Sequence, residues 1–420
     1  MPSSWKWCQP SSNNELPLSN KNLDRLKYPD KNSWVFLFLK QYWIFWSILI
    51  LIILRIFPFY YFIIFYIVFC VYHRLISSTE IIFTKNSIMD EIIKKSNLNN
   101  FKFKPSFFFP ITPLQFINLD RTKKNPKNRI SVTRKYVGNN GVCLDWIKYE
   151  GIDNEKNPIL IIFPGLTGCI DDPYVFNIAN EAIIKGGFNT CIYQMRVLTD
   201  KLKIEKRYFF LLDDIDEALD EIRKEYGENK IIYGVGFSYG ANQLVKYLGK
   251  FNHIKKKINA GVSISNPYEL IISTRLCANK VYDRMLLTFL QRVAVKSEKN
   301  LKNLNIDFNY ILNVNQLKEF DKYYTSFLLG FKSSDDYYRG ISSVYEMENI
   351  NVPLLCISSK DDQVCFEESI PYDDIKLNKN IALIVTSHGT HNCFIENDGL
   401  LGVKQWAPQP AISFLEAIQE

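Results

Sequence analysis

Six short apolar runs limit the folds open to this chain. Between residues 158 and 386 it reads PILIIF (158–163), FNTCIY (188–193), KIIYGV (230–235), AGVSIS (260–265), PLLCIS (353–358) and IALIVT (381–386). Runs this apolar on both alternating faces suit strands covered on both sides, as in a parallel sheet. Amphipathic stretches at 213–226, 239–248 and 411–418 have helical spacing. Strands alternating with helices predict an α/β class with a mostly parallel central sheet from residue 131 to the C-terminus. Almost ninety residues separate the fourth run from the fifth, too many for one crossover. A helical cap inserted at about 267–350 is expected there, with apolar spacing at 282–295 and 317–329.

The turn after the third run carries the chemistry. Gly236-Phe237-Ser238-Tyr239-Gly240 lies between a strand and a helix. A Gly-x-Ser-x-Gly turn in that context presents a serine hydroxyl on a sharp, strained elbow at a helix N-terminus. A serine needs a base to become a nucleophile. The chain has four histidines, His73, His253, His388 and His391. His73 flanks an apolar segment, and His253 ends the helix that follows the serine. His388 and His391 follow the last run, at the carboxyl end of the sheet where ligands bind. Asp361 and Asp362 follow the fifth run and offer an acid to orient the imidazole. Taken singly, each of these residues reads as a turn serine, a solvated acid or a structural histidine. Their order, each after a strand, favours a Ser-His-Asp constellation. Two backbone N–H groups should stabilise an oxyanion. One belongs to Tyr239, next to the serine. The other is expected from the loop Pro164-Gly165-Leu166-Thr167-Gly168, with Leu166 as the donor, because proline has no N–H.

No cofactor or metal site is expected. The nine cysteines are odd in number, form no CxxC pair and sit mostly in apolar runs. The net charge of +7 forms no Arg-aromatic stripe, so nucleic acid is not an expected partner. Nothing in the chain specifies an oligomeric state.

Residues 43–72 read WIFWSILILIILRIFPFYYFIIFYIVFCVY, with Arg55 the one charged residue. As a helix this run would extend roughly 45 Å, against a hydrocarbon thickness of about 30 Å. A tilted single span or a hairpin turning near Arg55 and Pro58 would fit. A retained membrane anchor at 34–74 is expected, preceded by a flexible polar tail at 1–33 and followed by a connector at 75–130. The expected localisation is thus membrane-anchored, on a side that the lysines flanking both ends leave open.

The chain resembles the AB hydrolase 4 family, which includes abhydrolase-domain phospholipases and medium-chain fatty-acid ester synthase/esterases. The resemblance spans roughly residues 110–416. Its pieces are Gly141-Val142-Cys143-Leu144-Asp145-Trp146, the 164–168 loop, Gly236 to Gly240, Glu319-Phe320-Asp321, Gly330-Phe331, Ser334-Asp335-Asp336-Tyr337-Tyr338 and Asp361-Asp362. It implies an α/β-hydrolase fold with the order Ser, Asp, His, an N-terminal membrane anchor, Asp362 as the acid and His391 as the base. The chain departs from the pattern at Gly389-Thr390-His391, where the family shows Gly-Gly-His, and at Gln194-Met195-Arg196-Val197, where it has Asn-x-Arg-Gly. The expectation is a serine hydrolase that cleaves a lipid ester through an acyl-enzyme. A non-catalytic subunit of a membrane complex and an acyltransferase to an alcohol are the alternatives.

Overall fold

A computed structural model of the protein describes residues 49–50, 59–123, 130–138, 141–196, 212–301, 304–399 and 402–419. The expected tail at 1–33, and the apolar run except Leu49, Ile50 and residues from Phe59 onward, lie outside the described residues.

The six apolar runs form the parallel centre of a nine-stranded sheet. The strands are β1 (Thr79–Phe83), β2 (Ile130–Tyr136), β3 (Cys143–Tyr149), β4 (Ile159–Phe163), β5 (Asn189–Gln194), β6 (Ile232–Phe237), β7 (Ala260–Ile264), β8 (Leu354–Ser359) and β9 (Ile381–Thr386). Their order is β1-β9-β8-β7-β6-β4-β5-β3-β2. Strands β4 to β9 pair in parallel, while β1, β2 and β3 pair antiparallel at the two edges.

The period-two rule sorts the side chains between two cores. In β4, Ile159, Ile161 and Phe163 face one apolar cluster, and Leu160 and Ile162 face the other. The first cluster takes Leu219 of the helix Leu212–Tyr226, Leu244 of the helix Tyr239–Tyr247, and the residues that follow β7. The second takes the inner faces of the helices Pro173–Ile184 and Pro408–Gln419. Both faces are therefore covered, which is why these runs are largely apolar.

Of residues 75–130, read from sequence as a connector, the described residues 75–123 are part of this body. They supply β1, which pairs with β9 in the register Ile81↔Ile384. They also supply the helix Ile88–Lys95, whose Met89, Ile92 and Ile93 are buried in the second core. The expected cap is present between β7 and β8 as helices that include Leu270–Cys277, Val281–Ser297 and Ser334–Ile341.

The helix Phe59–Leu75 turns an apolar surface outward. Phe65, Val68 and Leu75 are well exposed, and Cys70 is buried. The helix is tied to the body where the Tyr66 hydroxyl donates to the Phe108 carbonyl at 2.8 Å and Arg74 donates to the Pro105 carbonyl at 3.1 Å. Among the described residues, no helix is long and apolar enough to cross a membrane.

Candidate active site

Strands β4 and β6 are neighbours, and the chain runs from them in opposite directions along the sheet, from β4 to β5 on one side and from β6 to β7 on the other. Such a reversal opens a crevice beyond the strand ends. The 164–168 loop after β4 and the turn after β6 meet there.

Ser238 occupies that turn with φ 51° and ψ −120°. This left-handed backbone is unfavourable for a side-chain-bearing residue by about 1–3 kcal/mol and persists only under constraint. The constraint is visible. The Ser238 N–H donates to the Ile264 carbonyl at 2.9 Å, and the Asn242 N–H donates to the Ser238 carbonyl at 3.0 Å. Strand and helix also approach too closely for side chains. A Cβ on Gly236 would stand 2.5 Å from the Ala241 Cα, and one on Gly240 would stand 2.2 Å from the carbonyl oxygens of both Phe163 and Pro164. Both glycines of the motif are thus steric requirements.

The structure brings Ser238, His391 and Asp362 into one hydrogen-bonded row. His391 Nε2 is 2.9 Å from Ser238 Oγ. His391 Nδ1 is 2.9 Å from Asp362 Oδ2 and 3.1 Å from Oδ1. Asp362 Oδ1 also accepts the backbone N–H groups of Val364 at 2.8 Å and Cys365 at 2.9 Å. Asp362 is thereby an acceptor, so Nδ1 carries the shared hydrogen and Nε2 faces the hydroxyl as an acceptor. Asp362 and His391 are buried.

The neighbours of these two residues have different partners. Asp361 clamps the histidine loop, accepting from the Thr390 N–H at 2.7 Å, the Ser359 hydroxyl at 2.5 Å and the Thr112 hydroxyl at 3.1 Å. Burial pushes its carboxyl above the usual range, while these donors and His388 pull it down. His388 points away from the serine. Its Nε2 is 3.0 Å from His73 Nδ1 on the apolar helix, and its Nδ1 is 2.9 Å from the Ser387 hydroxyl. The loop that carries His388 and His391 is tightly wound, with Thr390, Asn392 and Phe394 at φ 52°, 60° and 44°.

Leu166 and Tyr239 border the cavities at Ser238. A turn closed by the Gly168 N–H on the Gly165 carbonyl at 2.9 Å places Leu166 at its first corner. A Cβ on Gly165 would stand 3.3 Å from the Ser238 Cβ, which measures how near this loop runs to the serine. Sequence reasoning missed Asn242, which fastens the nucleophile helix to the cap. It donates to the Ile341 carbonyl at 2.7 Å and accepts from the Ser343 N–H at 3.0 Å. A buried amide one turn after the serine was the available signal.

Asp362, Cys365 and His391 also place one potential metal-ligand atom each within 4.8 Å of one another. These atoms are otherwise committed. The Cys365 thiol lies 3.1 Å from the Ser265 carbonyl, and burial holds its pKa well above the usual range, against the thiolate a metal needs.

Two cavities open on Ser238. One spans about 1020 Å³, including space open to solvent, and is bordered by His391, Thr167, Asp172, Phe289 and Arg292. The other spans about 710 Å³ on the same measure and is bordered by Leu270, Leu286, Leu290, Leu317 and Tyr337. His391 borders the first and not the second.

Residues 158–398 match the family model described as alpha/beta hydrolase fold. Curated relatives include the embryogenesis-associated protein EMB8 of Picea glauca, 29% identical over 296 residues, which are 66% of this chain and 64% of that protein. Phospholipase ABHD3 of Homo sapiens is 24% identical over 66% of this chain and 69% of its own length. A monoacylglycerol lipase of Saccharomyces cerevisiae is 27% identical over 64% of this chain and 61% of its own length. The matched region thus spans under two thirds of the spruce and yeast proteins. Among solved structures, an esterase of Pyrococcus furiosus is 18% identical with a TM-score of 0.42, covering 63% of this chain and 83% of that one.

Proposed function

Because this chain belongs to the alpha/beta hydrolase fold family, we propose that it is a serine hydrolase cleaving carboxylic esters of lipids through an acyl-enzyme. The row from Ser238 Oγ to His391 to Asp362 is the observation that carries this reading. As Ser238 Oγ attacks the ester carbonyl, His391 Nε2 takes its proton. Asp362 holds the Nδ1–H tautomer and stabilises the imidazolium. The N–H groups of Leu166 and Tyr239 receive the oxyanion, at the positive end of the helix Tyr239–Tyr247. His391 then gives the proton to the leaving alcohol. Water, activated by the same imidazole, releases the fatty acid.

The relatives named phospholipase and monoacylglycerol lipase support lipid esters as the substrate class. So do the apolar walls of the smaller cavity. Attachment to a membrane belongs to the same reading. The exposed apolar helix Phe59–Leu75 continues the apolar run before it, and it touches the histidine loop through His73 and His388. Substrate drawn from a bilayer would arrive beside that loop.

Ser238→Ala tests the chemistry. The variant should keep its fold and lose hydrolysis of hexanoyl and octanoyl esters. Wild-type rates in a folded Ser238→Ala protein would overturn the proposal. Flotation with liposomes after carbonate washing tests the attachment, and full release of the chain from vesicles would refute it.

A further inference from the structure

The two cavities are chemically unequal, and the histidine says which takes which half of an ester. Breaking the bond needs a proton on the departing alcohol oxygen, and His391 is its donor. The alcohol must therefore leave on the side that His391 borders. That is the larger cavity. The acyl chain then lies in the smaller one, among Leu270, Leu286, Leu290 and Leu317.

Arg292 borders the alcohol side. It lies on the helix Val281–Ser297, one turn beyond Phe289 of the same wall. Among the described residues its guanidinium has no carboxylate partner and no hydrogen bond. It is half-buried, and burial lowers its pKa with nothing nearby to offset this. A partly desolvated cation is unfavourable unless an anion arrives. Lys296, one turn further along the helix, is also depressed by burial, to about 7. The acid in the same wall is Asp172, which accepts the Cys169 N–H at 2.8 Å. Burial raises it to about 7, so it opposes an incoming anion less than an ordinary aspartate would. A guanidinium is planar and forked, which suits the paired oxygens of a phosphate.

The geometry points to Arg292 as the residue that binds the phosphate of the leaving group, making a glycerophospholipid head group the preferred alcohol half of the substrate. This rests on the serine-hydrolase reading above. In the step, the Ser238 Oγ–acyl bond forms and the acyl–oxygen bond breaks. The serine proton passes through His391 to the departing glycerol oxygen. A phosphate-bearing alcohol leaves the larger cavity, and water then frees the fatty acid.

The test compares dihexanoylphosphatidylcholine, kept below its micellar concentration, with dihexanoylglycerol, which has the same acyl chains and no phosphate. In Arg292→Gln the ratio of kcat/KM for phospholipid over diacylglycerol should fall by about 10–100-fold, the loss of one charged hydrogen-bonding contact. It should appear mainly in KM, and Arg292→Lys should fall between the two. A second measurement needs no turnover. Dihexanoylphosphatidylcholine is titrated into Ser238→Ala with and without Arg292→Gln, and its affinity should drop by the same factor. An unchanged ratio and affinity in folded Arg292→Gln would overturn the assignment. Inorganic phosphate binding Ser238→Ala as tightly as the phospholipid would overturn the head-group reading in favour of free phosphate. A wild type that cleaves neither lipid would sink the hydrolase proposal, and the titration alone would then decide the anion subsite.

Discussion

Gly240→Ala isolates the geometric demand of the serine turn. The added methyl would meet the carbonyl oxygens of Phe163 and Pro164 at 2.2 Å, about 0.8 Å inside the closest approach that Cβ atoms make. Both oxygens belong to backbone at the end of β4, which is held in the sheet by β5 and β6. They cannot rotate away as a side chain could. Relief must come from moving the helix Tyr239–Tyr247 off the sheet, and Ser238 moves with it. A misplacement of about 1 Å at reacting atoms lowers rates by about 10²-fold. Overpacking should destabilise by about 1–3 kcal/mol. The better helix propensity of alanine should return up to about 1 kcal/mol. The expected result is a modest stability loss with a loss of kcat/KM near 10²-fold on p-nitrophenyl hexanoate. Gly227→Ala is the comparison. Gly227 has φ 100° and nothing within 4 Å of its Cβ, so alanine there should weaken folding and spare the site. Denaturant titration and steady-state kinetics of the two variants give both quantities. Full activity in Gly240→Ala would show that the close approach does not position the serine.

Asp362→Asn should keep the fold and lower kcat by about 10⁴-fold, because an amide can present its N–H to Nδ1 and favour the wrong tautomer; single-turnover kinetics on the purified variant check this. Asn242→Ala should destabilise the protein by about 3 kcal/mol in urea unfolding, since it strands the Ile341 carbonyl and the Ser343 N–H in the interior. Burial and the neighbouring His388 lower the His73 pKa below its ordinary value of 6.5. The unfolded chain therefore binds that proton first, and stability should fall as pH drops below about 6.5, down through the lowered folded value. His73→Gln should flatten that part of the urea-midpoint profile between pH 7.5 and 5.5, and an unchanged slope would contradict the assignment.

The central strands were legible because burial on both faces keeps them largely apolar, with few polar residues such as Thr190 and Ser263 among them. The edge strands were not. In β2, Ser131, Val132 and Thr133 are exposed, and the half-buried Arg134 pairs with its cross-strand partner Asp145 through two contacts of 2.7 Å. A charged pair inside two strands erases the apolar pattern that periodicity detects. Strand β1 has five residues and depends on β9 for pairing. It lies in the sequence after the membrane-like run, far from the strand it joins, so its role is set by tertiary contact. The site was legible for a different reason. Ser238, Asp362 and His391 each follow a strand end, and a parallel sheet gathers its strand ends on one edge. Arg292 and Asn242 escaped because they sit within helices, where one polar residue on a mostly buried face is unremarkable in one dimension.

The proposed chemistry depends on Ser238 being an activated nucleophile. Reaction with a fluorophosphonate, followed by peptide mass spectrometry, tests this most directly. The wild type should gain one adduct, mapped to Ser238, and folded His391→Ala should label far more slowly. No adduct on folded wild-type protein, or an adduct at another residue that Ser238→Ala leaves intact, would contradict the proposed chemistry.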